Sequence, residues 1–285
     1  MYDEAFRFTS NADGLELQAY RWISPRPAGV LVLAHGAAEH ALRYDRFARA
    51  LADAGFEVYA LDHRGHGASP GPSGLGDFGP GAWSALVADL GQLVALARAR
   101  HPGLGLALFG HSMGSFAGQQ HCYAGSSSLD ALVLSGSTAL ELIGDRKRLP
   151  LEPNREFEPT RTPYDWLSRD PVEVDKYIAD PLCGFEVQTG RNRDSRVDWK
   201  QINDPIGPAG IRSDLPVLLV AGDEDPLNRK LEGLRLLEQR WRDAGVARID
   251  TLYYPGGRHE MLNEINRDQV TRDIIAWLRE VLIKA

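Results

Sequence analysis

The run Leu104-Gly105-Leu106-Ala107-Leu108-Phe109 carries no polar side chain and leads directly into Gly110-His111-Ser112-Met113-Gly114, after which the chain suits a helix. An apolar run of this length, with no alternating polar face, predicts a strand buried on both sides. The two glycines, each two residues from the serine, have a physical reason at a strand-to-helix turn. The turn is too tight for side chains at those places, and it holds the serine exposed and strained at the helix start. Its hydroxyl is then accessible, and the N–H groups of the helix start face negative charge that develops there. The five-residue pattern alone recurs by chance; its position between strand and helix gives it weight.

Further short apolar runs predict more buried strands: Val30 to Ala34, Val58 to Leu61, Leu132 to Leu134 and Val217 to Ala221. Between them, apolar residues recur at helical spacing. Phe47, Leu51 and Ala54 mark one helix, Leu86, Leu90, Leu93, Val94 and Ala97 a second, and Leu231, Leu234, Leu237 and Trp241 a third. A last helix is predicted over roughly Val270 to Ile283. Strand and helix in alternation argue for an α/β fold with a mostly parallel central sheet and helices on both faces. Before this, Ala5 to Thr9 and Leu15 to Trp22 alternate in polarity around Asp13-Gly14, which predicts an antiparallel hairpin.

The alternation lapses between about Thr138 and Pro208. Eight of the 17 prolines fall there, so long helices are not expected, and 25 of the 67 residues from Thr138 to Asp204 are charged, with mixed sign. This segment reads as an irregular, solvated insertion. The expected organisation is a core over 1–137 and 209–285, with a cap or lid inserted at 138–208.

Composition narrows the function. The 285 residues carry 32 Lys+Arg against 39 Asp+Glu, a formal charge of −7, so there is no basic field to attract nucleic acid or anionic lipid. No apolar run approaches a membrane span, and Met1-Tyr2-Asp3-Glu4 lacks the flank of a signal peptide; a cytoplasmic location without stable membrane insertion is the expectation. Cys122 and Cys183 make no Cys-x-x-Cys pair and are expected to be small buried hydrophobes.

A serine nucleophile needs a base and an orienting acid, which in this sheet type follow in the order Ser, Asp, His at strand ends. The run at Val217 to Ala221 leads into Gly222-Asp223-Glu224-Asp225-Pro226, and Thr251 to Tyr254 leads into Pro255-Gly256-Gly257-Arg258-His259-Glu260. Ser112, either Asp223 or Asp225, and His259 fit that order. The oxyanion hole is expected to pair the Met113 N–H with one from the loop His35-Gly36-Ala37-Ala38-Glu39-His40, where Gly36 lets the backbone turn the Ala37 N–H towards the serine. Asp62-His63-Arg64-Gly65-His66 is rich in ligand types, and with His35 and His40 a metal can be imagined. His-x-x-His is no established zinc spacing, so a structural role is expected. No Walker loop and no Gly-x-Gly-x-x-Gly opening a helix occur, so neither cofactor nor metal is expected.

Together these residues resemble the α/β-hydrolases, and among them the monoacylglycerol lipase and lysophospholipase group, also described as serine aminopeptidase-like hydrolases. The resemblance rests on His35 to His40 with Arg43-Tyr44, on Asp62 to Gly67 with Ser69, on Gly110 to Gly114, and on Gly222, Asp225 and His259. It implies the α/β-hydrolase fold, and it selects Asp225 over Asp223, because the family's acid stands three residues after the glycine ending its strand. Two departures bear on substrate. Ser115 stands where the family often has a second glycine, and the insertion is heavily charged, whereas the lipases carry an apolar cap that docks on membranes.

The expected activity is hydrolysis of carboxylic esters, such as monoacylglycerol- or lysophospholipid-like or other small acyl esters, through an acyl-enzyme. Its rate should decline below about pH 6 if His259 titrates near the ordinary 6.5. Trp166, Leu167, Tyr177 and Phe185 are candidates to line an acyl or alcohol pocket. Two alternatives use the same fold: an amidase or aminopeptidase, with Glu141, Glu152 or Asp165 binding a substrate ammonium, and a binding protein without turnover.

Overall fold

A computed structural model describes residues 1–143, 153–187 and 207–283. Eight strands form one sheet in the order β1-β2-β4-β3-β5-β6-β7-β8. The hairpin β1 (Glu4–Thr9) and β2 (Glu16–Trp22) is antiparallel, with Thr9 opposite Glu16, and β2 pairs antiparallel with β4 (Phe56–Leu61). From β4 the sheet continues in parallel through β3 (Gly29–Ala34), β5 (Gly105–His111), β6 (Ala131–Ser135), β7 (Val217–Gly222) and β8 (Ile249–Tyr254).

Every residue of β3, β4, β6 and β7 is buried, and apart from Glu57 in β4 and Ser135 at the end of β6 their side chains are apolar, which is why these segments read as short apolar runs. Successive side chains point to opposite faces. Val30 and Val32 join the apolar layer under helices α2 (Ala82–Arg100), α3 (Met113–Gly125) and α6 (Glu232–Asp243), through Leu86, Leu90, Phe116, Leu234 and Trp241. Leu31 and Leu33 join the opposite layer, under α1 (Asp45–Asp53) and α7 (Arg267–Leu282), through Phe47, Leu51, Ile274 and Leu278. The sheet is thus covered on both faces.

Arg64, predicted only as part of a structural loop, is fully buried and joins three distant pieces. Its guanidinium donates to Asp89 on α2 at 2.7 Å, to Asp13 in the hairpin turn at 2.7 Å and to the Phe78 carbonyl at 3.0 Å. Taking one partner from a buried pair of this kind costs about 3–5 kcal/mol, because the other charge stays behind without compensation.

Between β6 and β7 the described residues contribute no strand. They form a short α4 (Leu140–Ile143), single turns at Arg155–Phe157 and Asp165–Leu167, and α5 (Pro171–Ala179), a nine-residue helix whose first turn is capped by the Asp170 side chain at the Val172 N–H, 3.0 Å. Proline at the first position of α5 suits a helix start, whose N–H has no partner within the helix. The rest of the predicted insertion, at 144–152 and 188–206, lies outside the described residues. Among the described residues no helix is long and apolar enough to cross a membrane.

Candidate active site

Ser112 stands between β5 and α3 with φ 50° and ψ −119°. A non-glycine residue at this φ is strained, and the surroundings show what holds it there. The Ser112 N–H donates to the Ser135 carbonyl at the end of β6 at 2.9 Å, while its own carbonyl accepts from Ser115 N at 2.9 Å and Phe116 N at 3.1 Å. A Cβ at Gly110 would overlap the Gly114 backbone, and one at Gly114 would overlap the Ala34 carbonyl. The start of α3 therefore presses directly on β5 and on the end of β3. Ser115 fills the place of the family's second glycine: its hydroxyl lies 2.6 Å from the Ser112 carbonyl and 2.8 Å from Ser137 Oγ, so the departure is absorbed in a buried polar cluster under the turn.

Asp225 and His259 meet across 34 residues. Asp225 Oδ2 is 2.9 Å from His259 Nδ1, and its other oxygen is held by the Leu227 N–H at 2.9 Å. Asp223 turns elsewhere and accepts from Gly256 N at 2.7 Å. Both members of the Asp225–His259 pair are buried. Burial pulls the His259 pKa down, but the charge and hydrogen bond of Asp225, aided by Glu260 and Glu39, outweigh it, so the imidazole titrates above its ordinary 6.5.

The two halves converge at Gly136, the residue after Ser135. A Cβ there would stand 2.8 Å from His111 Cε1 and 3.0 Å from His259 Cε1. His111, the neighbour of Ser112, lies against His259 with ring centroids 4.8 Å apart. Among the described residues no hydrogen bond joins His259 to the Ser112 hydroxyl; catalytic contacts of this kind often tighten only around substrate. Trp166 covers His259 at 4.9 Å, and the His259 and Glu260 N–H groups donate to the Trp166 and Leu167 carbonyls at 3.4 and 2.8 Å. Of the other residues expected to line a pocket, Tyr177 stacks under Arg43 at 4.8 Å, and Phe185 packs on His66 at 5.2 Å.

The loop carrying Ala37 is fixed by an ion network that sequence reasoning missed. Glu39 accepts from Gly36 N at 2.6 Å and from the Tyr44 hydroxyl at 2.8 Å. Arg43 donates to Glu39 at 2.6 Å and to both oxygens of Glu260 at 2.7 Å. Burial opposes the charge on Arg43, yet the two carboxylates hold its pKa well above the usual arginine range. Glu260 is the residue after His259, so one guanidinium joins the Ala37 loop to the His259 loop. Glu39 and Arg43 stood in the resemblance without a role; an acid beside the candidate base was the available signal for Glu260. Neither the Ala37 nor the Met113 N–H is taken by a backbone partner among the described residues.

The histidines of the 62–66 segment stack instead. His35 and His63 have centroids 4.5 Å apart, and the His63 N–H donates to His35 Nε2 at 2.9 Å. His35 Nδ1 in turn donates to the Gly36 carbonyl at 2.7 Å. Burial lowers the pKa of His35 and His66 to about 3, which leaves both neutral at working pH. Of the acids considered for an ammonium, Glu141 pairs with Arg240 at 2.6 Å, Asp165 accepts from Arg161 N at 2.6 Å and Thr162 Oγ1 at 2.5 Å, and Glu152 lies outside the described residues.

A mostly parallel eight-stranded sheet with a strained serine turn after its fifth strand defines the α/β-hydrolase fold. The family model described as serine aminopeptidase, S33, matches residues 25–266, and the chain belongs to that family. It is 36% identical over 263 residues to a monoacylglycerol lipase of Mycolicibacterium smegmatis, covering 88% of each chain. To the monoglyceride lipase of Homo sapiens it is 29% identical over 289 residues, covering 95% of this chain and 89% of that one. Among solved structures, a highly thermostable carboxyl esterase from Bacillus coagulans in complex with glycerol superposes with a TM-score of 0.83 at 26% identity, over 99% of both chains. A soluble variant of monoglyceride lipase from Saccharomyces cerevisiae shares the fold at a TM-score of 0.75 and 20% identity, over 100% of this chain and 97% of that one.

Gly136 has φ +54° as well as the two rings against it. Gly136→Ala should therefore cost at least about 1–2 kcal/mol in chemical denaturation and displace His259. Unchanged stability and unchanged ring positions would contradict the described convergence.

Proposed function

We propose that this chain is a serine hydrolase of carboxylic esters, acting on monoacylglycerol- or lysophospholipid-like or other small acyl esters through an acyl-enzyme. The observation that carries the reading is the buried Asp225–His259 pair set beside the strained Ser112 turn. Identity with a monoacylglycerol lipase along most of both chains supports the substrate class.

In this reading Ser112 Oγ attacks the ester carbonyl and its proton passes to His259 Nε2, the ring nitrogen not facing Asp225. Asp225 holds the Nδ1–H tautomer and favours the imidazolium that forms. The Ala37 and Met113 N–H groups receive the oxyanion, each such donor typically supplying about 10²–10³ in rate. The tetrahedral intermediate collapses as the protonated imidazole gives its proton to the departing alcohol. Water, deprotonated by His259, then releases the acid from Ser112.

Residues 138–208 act in this account as a cap over the site, with Trp166, Leu167, Tyr177 and Phe185 on its inner side. Its helix α5 exposes Val172 and Ile178 beside Asp175 and Lys176, a mixed surface that supports dispersed small esters over a membrane-docked mode.

Three outcomes are expected. The ester reading predicts faster turnover of p-nitrophenyl acyl esters than of aminoacyl anilides; the reverse would favour a peptidase. The base works as neutral imidazole, so kcat/KM should fall as pH drops, with a midpoint above 6.5 and therefore earlier than the unperturbed value implies; a flat profile down to pH 5 would exclude His259 as base. Asp225→Asn should remain folded, lose about 10⁴ in kcat and move that midpoint down. Retained activity in this variant would remove Asp225 from the mechanism.

A further inference from the structure

His40, Asp180 and Cys183 bring one imidazole nitrogen, one carboxylate oxygen and one sulfur within 4.8 Å of one another. None of the three has a part in the proposed chemistry. His40 belongs to the Ala37 loop of the core, whereas the other two belong to the proposed cap. His40 Nε2 already lies 2.9 Å from Asp180 Oδ2. The carboxylate is aimed by its second oxygen, which accepts from Leu182 N at 2.9 Å, and the Cys183 N–H closes a turn on the Asp180 carbonyl at 3.0 Å. That turn projects the carboxylate and the thiol towards the same histidine.

We infer that these three residues form a binding site for one thiophilic divalent cation of the Zn²⁺ class, spanning the joint between core and cap. Mixed nitrogen, oxygen and sulfur ligands suit Zn²⁺, while Mg²⁺ and Ca²⁺ require oxygen throughout. A tetrahedral ion with bonds of about 2.0–2.3 Å sets its ligand atoms roughly 3.3–3.8 Å apart, so the His40–Asp180 pair, now at 2.9 Å, must open by a few tenths of an ångström while the sulfur draws in by up to about 1 Å. His40 is nearly buried and holds its place; Asp180 and Cys183 are partly exposed and sit on a turn that can follow. The Cys183 proton leaves on binding, and water completes the fourth position. Burial opposes a bare thiolate at Cys183, but among the charges acting on it Asp180, Glu39 and Glu260 outnumber the single Arg43, which favours a cation there.

The position also gives the ion a consequence. The Tyr177 hydroxyl and the Gly184 N–H, which flank the site, both donate to the Ala38 carbonyl at 2.9 Å. A cation on His40, Asp180 and Cys183 would add a third and stronger tie between the same segment and the loop that carries the Ala37 N–H. Filling the site would therefore clamp cap to core and slow turnover.

The test uses the full chain, reduced, with Co²⁺ as the optical stand-in. One equivalent should give tetrahedral d–d bands and a thiolate-to-cobalt charge-transfer band. Cys183→Ser should lose the charge-transfer band and weaken binding at least about tenfold. Ser112→Ala should keep both, so that binding is read without turnover and its failure is distinct from failure of the ester reading. Zn²⁺ should slow ester hydrolysis by the unsubstituted protein, reversibly on chelation, and leave Cys183→Ser unaffected. No saturable charge-transfer band, or equal inhibition of Cys183→Ser, would overturn the site.

Discussion

The tight passage from β5 into α3 is the constraint on which the rest of the molecule depends. Ser112 can be held at φ 50° only because Gly110 and Gly114 let the strand, the helix start and the end of β3 approach to backbone contact. That approach is possible because β3 and β5 are adjacent, central and buried on both faces. Strain of this kind costs of order 1–3 kcal/mol and persists when the surroundings over-determine it. Here the Ser112 N–H is fixed by β6 and its carbonyl by the first turn of α3, so the backbone has nowhere to relax.

A second layer of control is electrostatic. Arg43 lies between Glu39 and Glu260 and brings together two loops 217 residues apart in the chain. The trio carries one net negative charge in a buried setting, and Glu39 and Glu260 contribute to holding the His259 pKa above its ordinary value. Asp225 supplies the larger part and the ring's orientation. Loop placement and the protonation of the candidate base are thus coupled through the same groups, and Trp166 and Leu167 fasten the following segment to the His259 loop by main-chain bonds.

Much of the fold was legible because buried parallel strands and amphipathic helices impose short-range patterns. The unbroken runs at β3, β5 and β7 mark strands covered on both faces, and Leu86, Leu90, Leu93 and Val94 mark the inward stripe of α2. The serine turn was legible through its glycines, since the steric demand acts within five residues. The choice between Asp223 and Asp225 was not legible from spacing alone: both follow the same strand, and only the path of the loop decides which carboxylate faces His259. The Arg43–Glu260 bridge left no periodic trace, because a long-range ion pair constrains two residues and nothing between them. The segment from 153 to 187 was opaque for a related reason. Its position rests on contacts with the His259 loop and the Ala38 carbonyl, which leave no periodic trace in the sequence.

In the proposed mechanism Ser112 is the one hydroxyl that this turn makes reactive. Its most direct measurement is treatment of the native protein with a fluorophosphonate, followed by peptide mass mapping. A single adduct on Ser112 is expected, and it should disappear in Ser112→Ala. An unlabelled protein, or an adduct at another residue that survives that substitution, would contradict it.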